Sequence, residues 1–149
     1  MTKKSEGYYK LIESMWDQIN IYDGPDVFLK TYAAAKQPAG LLYAAHFAQS
    51  EICNGGFKQL FRNSTGVLSQ EAVEGFQAIG MNRTDSLVAA AMEALGSPFP
   101  RDRNERQKRF ENVSEDLLNQ LDRKFLDEIE KENGGFLPSC DAFIEGLED

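Results

Sequence analysis

Residues 51–64 read Glu51-Ile52-Cys53-Asn54-Gly55-Gly56-Phe57-Lys58-Gln59-Leu60-Phe61-Arg62-Asn63-Ser64. A helix must close its last carbonyls, and Gly55 is the residue expected to do so in the left-handed conformation, where a Cβ would clash. Gly56 then lets the chain turn tightly, so that Phe57, Leu60 and Phe61 re-enter the core. Asn54, Gln59 and Asn63 supply amides for turn backbone that would otherwise be buried unsatisfied. Turn chemistry accounts for every residue type here. The alternative is a polar pocket holding a small ligand or a reaction, built from Glu51, His46, Asn54, Gln59 and Asn63.

Upstream of this turn, Pro38 opens a helix from Ala39 to about Cys53 that is apolar on most sides and therefore central. Further upstream, Tyr8, Leu11, Ile12, Met15, Trp16 and Ile19 form one stripe of an amphipathic helix. Asp23-Gly24-Pro25 breaks it, and a second helix carries Val27, Phe28 and Tyr32. Downstream, Phe57–Phe61 reads as a short helical segment. Ser69 and Thr84 are placed to cap the next two helices, with Gly80 and Gly96 just past their ends. Pro98 and Pro100 mark a linker. Ser114 caps a long helix, and a last short helix follows Pro138.

Alternation of period two is missing throughout. The expected fold is all-α: one orthogonal bundle of about seven to eight helices over 1–149, with little or no β structure. The turn-bearing core covers about 38–96, and an acidic helical part about 111–149. Asn-Gly-Gly-Phe occurs twice, at 54–57 and 133–136, in unlike flanks. Two similar helix stops are expected, rather than a duplicated domain.

The chain has 149 residues, 42% of them apolar, which suffices for one core. Cys53 and Cys140 have no metal or redox spacing, so two free thiols in a reducing compartment are expected. No apolar region follows the basic N-terminus. The longest apolar stretch is far short of the ~20 residues that span a bilayer. A cytoplasmic protein with no membrane contact is expected.

Residues 111–149 hold 3 Lys/Arg against 12 Asp/Glu, whereas residues 1–110 hold 13 against 12. An acidic C-terminal third repels nucleic acid and attracts basic partners. Winding residues 115–133 at about 100° per residue puts Leu117, Leu118, Leu121, Phe125 and Ile129 on one side. Asp116, Asp127 and Glu130 gather opposite, interleaved with Arg123, Lys124 and Lys131. The basic run Arg101–Arg109 is expected to pair with the acidic third, within one chain or across a homodimer.

No P-loop, dinucleotide fingerprint or EF-hand loop is present. His46, the single histidine, and Glu51 lie about 140° apart on their helix and form no local metal or base pair. A hydrogen-bonded, partly buried histidine is expected, with no catalytic residue, metal or cofactor.

Glu51, Asn54, Gly55, Gly56, Phe57, Gln59, Phe61, Asn63, Ser64 and Gly66 together resemble the signature of a bacterial family once classed as of unknown function. Its namesake is an acidic DNA mimic occupying the DNA-binding face of a transcription regulator. The likeness covers Leu41 to Gly96 well and extends weakly into the long C-terminal helix. It implies an all-α fold and a non-enzymatic, protein-binding role, with a basic protein such as a DNA-binding regulator as partner. Asp116, Asp127 and Glu130 are the candidate partner-binding acids. The rivals are the ligand or enzymatic site at the turn and a purely structural or self-associating domain.

Overall fold

A computed structural model describes Tyr8, Lys10, Ile12, Glu13 and residues 39–148. It places six α-helices: α1 (Ala39–Arg62), α2 (Ser69–Ala78), α3 (Asn82–Leu95), α4 (Arg103–Phe110), α5 (Glu115–Lys131) and α6 (Phe136–Glu148). Short 3-10 turns at Ser64–Leu68 and Glu132–Gly134 precede α2 and α6, and no strand occurs among the described residues. Among the described residues these six are fewer than the seven to eight expected. The helix expected over Tyr8–Ile19 is described only at Tyr8, Lys10, Ile12 and Glu13, and the one carrying Val27–Tyr32 lies outside the described residues. The expected segment at Phe57–Phe61 is the second helical run of α1, which follows the non-helical Gly55 and Gly56 and continues to Arg62.

The apolar α1 is central, packing against α2, α4 and α5. Leu42, Ala45, Ile52, Phe57 and Phe61 from α1 join Ala72, Phe76, Val88, Ala91, Phe125, Ile129 and Phe136 in one buried cluster, which also takes in Tyr8 and Ile12. Four aromatic rings run through it in sequence. Phe57 meets Phe125 at 5.8 Å, Phe125 meets Phe76 at 6.1 Å, and Phe76 meets Phe136 at 5.9 Å, all edge to face. The phenylalanines of the two Asn-Gly-Gly-Phe sequences are thus joined through one aromatic row.

α5 buries Leu118, Leu121, Phe125 and Ile129 as its periodicity predicts, but Leu117 remains 41% exposed. Ser114 caps it as expected, Oγ accepting from Leu117 N at 3.3 Å. The other two expected caps fail. Ser69 is the first residue of α2 and donates its hydroxyl backwards to the Gly66 carbonyl at 2.8 Å. Thr84 lies inside α3, whose N-terminal amides are taken by a carboxylate 48 residues away. At the end of α2, Gly80 N donates to Gln77 O and Met81 N to Phe76 O, a Schellman closure about the expected glycine. α6 begins at Phe136, two residues before Pro138. A proline in the first turn forfeits no helical hydrogen bond.

Candidate functional site

The Asn54-Gly55-Gly56 stretch breaks α1 as expected, dividing it at a kink into two helical runs. Gly55 has φ −150° and ψ 18°, whereas Gly56 has φ 76° and ψ −178°, a region open essentially to glycine alone. The positive φ expected at Gly55 therefore belongs to Gly56. The kink re-aims the helix axis so that a fresh N-terminus begins at Phe57, and Asp122 of α5 caps it, Oδ1 accepting from Phe57 N at 2.8 Å. A Cβ on Gly56 would stand 2.5 Å from Asp122 Oδ2. Phe57, Leu60 and Phe61 are buried beyond the kink, as expected.

The amides of this segment engage side chains rather than the turn backbone. Asn63 Nδ2 donates to Glu51 Oε2 at 2.6 Å, and Asn54 Nδ2 donates to Gln59 Oε1 at 3.2 Å. The carbonyls at the end of α1 are instead held by Arg106. This fully buried side chain donates from Nε to Phe61 O at 3.0 Å and from Nη2 to Asn63 O at 2.8 Å, and from Nη1 to Arg101 O. Burial pushes the guanidinium down to about 10, reinforced by nearby Arg103 and opposed by Asp102. That is still far above neutrality, so a full positive charge sits at the C-terminal end of α1, where the helix dipole favours it. Ser64, expected within the motif, starts the 3-10 turn behind this clamp.

The second Asn-Gly-Gly-Phe builds a like corner. Asn133 adopts φ 54° and ψ 31°, and its Nδ2 donates to Ile79 O at 2.9 Å. Gly135, with φ 106° and ψ 169°, matches Gly56 in preceding the phenylalanine that starts the next helical run. Just before this corner stands Glu132. Its Oε1 accepts from Thr84 N at 2.7 Å and Thr84 Oγ1 at 2.8 Å, and its Oε2 from Arg83 N at 2.6 Å. Burial alone would raise this carboxyl. The backbone amides of Arg83 and Thr84, the Thr84 hydroxyl and the Arg83 charge together hold it below the usual carboxylate range.

Beside this corner lies a cleft of about 380 Å³ between the middle of α1, the end of α5 and the start of α6. His46 shares a 2.6 Å hydrogen bond with the Tyr8 hydroxyl and is half-buried, as expected of it. Burial lowers its pKa, keeping the ring neutral at physiological pH. Cys53 and Cys140 are free thiols. Burial first, then the charge of Glu130, pushes Cys53 up, the opposite of what a thiolate nucleophile requires. Thus His46 and Cys53 face this cleft, while Glu51, Asn54, Gln59 and Asn63 satisfy one another.

Of the three candidate acids, Asp116 and Glu130 are exposed, and Asp127, also exposed, pairs with Lys131 at 2.5 Å. Glu128 pairs with Arg83 at 2.9 Å, and Asp122 and Glu132 cap helices, so much of the acidity of this region is committed within the fold. Among the described residues the basic run has partners outside α5. Arg101 forms a bidentate contact with Glu71, Arg103 donates to Arg62 O, and Arg109 pairs with Glu105. Sequence reasoning missed Asp122, Glu132 and Arg106. Glu132 left one signal: an acid in the last turn of a helix opposes the dipole unless something elsewhere requires it.

Among the described residues no group of three or more His, Cys, Asp or Glu could hold a metal ion, and no helix is long and apolar enough to cross a membrane. The family model described as DMP19-like protein matches residues 33–146. No curated protein and no solved structure matches the chain.

Proposed function

Because this chain belongs to the DMP19-like protein family, we propose that it is a non-enzymatic module that binds a basic protein. In its most specific form this is a DNA mimic occupying the DNA-binding face of a transcription regulator. The family match carries the reading. The exposed carboxylates of Asp116, Asp127 and Glu130 on α5 support it, since opposed potentials speed association and select partners. The protonated thiol of Cys53 and the mutual pairing of the Asn54–Ser64 side chains weigh against a reaction at either place.

Arg123, Lys124 and Lys131 interrupt the acidic face, so acidic docking is the broader reading and imitation of a phosphate row the narrower one. Affinity capture from the native cytoplasm at low and high salt, followed by challenge with duplex DNA, tests both. The expected result is a basic partner released by salt and displaced by DNA. A partner indifferent to salt refutes acidic docking, and one released by salt but not displaced by DNA refutes mimicry.

A further inference from the structure

The cleft beside the second Asn-Gly-Gly-Phe corner combines apolar walls with one carboxylate. Ile129, Leu137 and Pro138 line it, with Tyr8 and Phe136 packed edge to face at 5.9 Å. Leu137 is 37% exposed and Pro138 is exposed, an apolar ledge open to solvent. Glu130 stands in the lining, exposed, and accepts no hydrogen bond and makes no ion pair among the described residues.

We propose that this cleft receives the side chain of a lysine or arginine from a partner protein, its methylene stem on Ile129, Leu137 and Pro138 and its cationic head at Glu130. This rests on the protein-binding reading and gives it a point of anchorage. Long cationic side chains bury their stems on apolar surface and keep their heads at charge or water. The cleft offers that sequence of environments. Its electrostatics select a cation, since Glu130 carries the formal charge while His46 is neutral and Cys53 protonated. The negative potential of Glu130 already reaches into the cleft, raising Cys53. The start of α6 opposes it with roughly half a positive charge, less than the full charge of a carboxylate. An anion would meet that carboxylate at close range.

The test titrates the full chain, labelled with nitrogen-15, with N-acetyl-arginine amide and with its neutral isostere N-acetyl-citrulline amide. Saturable shifts are expected at the Gly134, Gly135 and Leu137 amides and the Gln49 side chain, with the citrulline compound weaker by roughly tenfold. Glu130→Gln, an exposed change that leaves the spectrum dispersed, should abolish the preference. Equal binding of the two compounds, no saturation, or a preference that survives Glu130→Gln overturns the proposal. A captured partner that binds Glu130→Gln as tightly as the parent, yet is lost on Asp116→Asn with Asp127→Asn, overturns the cleft while leaving acidic docking in place.

Discussion

Asp122 Oδ1 accepts the backbone N–H of Phe57 at 2.8 Å, joining α5 to the kink of α1 across 65 residues of sequence. The contact exists because Gly56 has no side chain. Its backbone conformation is one that L side chains rarely adopt, and a Cβ there would invade the Asp122 carboxylate. Gly56→Ala should therefore destabilise by about 2 kcal/mol through strain and loss of the cap. Gly55→Ala should lose less, because Gly55 has negative φ; its new Cβ would displace the Gln59 amide and press on Gln59 Cβ at 2.9 Å, but without the backbone strain of Gly56. Urea unfolding of the two variants decides it. Equal losses would show that the kink is not held by Gly56 and Asp122.

Glu132 ties the end of α5 to the start of α3, and its folded pKa is depressed. The stability it contributes is present above the unfolded carboxylate range, near 4.3, and is lost as pH falls through the lower folded value. Glu132→Gln should cost about 2 kcal/mol at pH 7, and the difference from the parent should shrink as pH falls below the unfolded carboxylate range. Asp85 shifts the other way through burial, so the comparison must be made within this pair of proteins. A gap between parent and variant that stays constant with pH would remove Glu132 as a charged cap.

Arg106 donates to three carbonyls and, among the described residues, has no carboxylate partner within hydrogen-bond reach. Arg106→Met keeps the bulk but leaves those carbonyls buried and unpaired. A loss of about 3 kcal/mol is expected, with Arg106→Lys recovering only part of it, since an ammonium cannot match the guanidinium fork. Melting temperatures within a degree of the parent would mean that water replaces the clamp.

These two contacts show where sequence legibility stops. Helices α1, α2, α3, α5 and α6 could be read from apolar periodicity and from glycine and proline signals, because those are local properties of the chain. Local reading also gave Ser114 as a cap, but it assigned Ser69 and Thr84 wrongly. Thr84 has the right chemistry, yet the helix begins earlier, at Asn82, and a distant carboxylate, Glu132, takes the Arg83 and Thr84 amides of its first turn. The same limit governs the motif. Glu51, Asn54, Gln59 and Asn63 were identifiable as polar turn residues, but which partner each takes depends on the second helical run after the kink. No spacing rule announces Arg106 or the cleft at His46 and Glu130, which arise only when distant elements meet.

Duplex DNA should not bind measurably at physiological salt. The net charge is −8, and the one basic run directs Arg101 to Glu71 and buries Arg106 beneath the end of α1. A salt-dependent mobility shift at micromolar concentration would contradict this, because phosphate contacts require free cations along one face.

The acidic face of α5 gives the sharpest test of function. Asp116, Asp127 and Glu130 are exposed, and among the described residues Asp127 alone of the three has an ion pair, with Lys131 at 2.5 Å. Exposed pairs of this kind contribute little to stability, so Asp116→Asn, Asp127→Asn and Glu130→Gln together should leave the fold intact. Long-range attraction acts on encounter before contact. The triple variant should therefore associate with a basic partner roughly tenfold more slowly at low salt, and the difference should shrink as salt screens the field. Stopped-flow association measured across ionic strength reads both effects. If the rate is unchanged while Gln59→Ala or Asn63→Ala abolishes binding in a folded protein, the acidic face is not the docking surface. The paired amides of the α1 kink would then be the place where the partner binds.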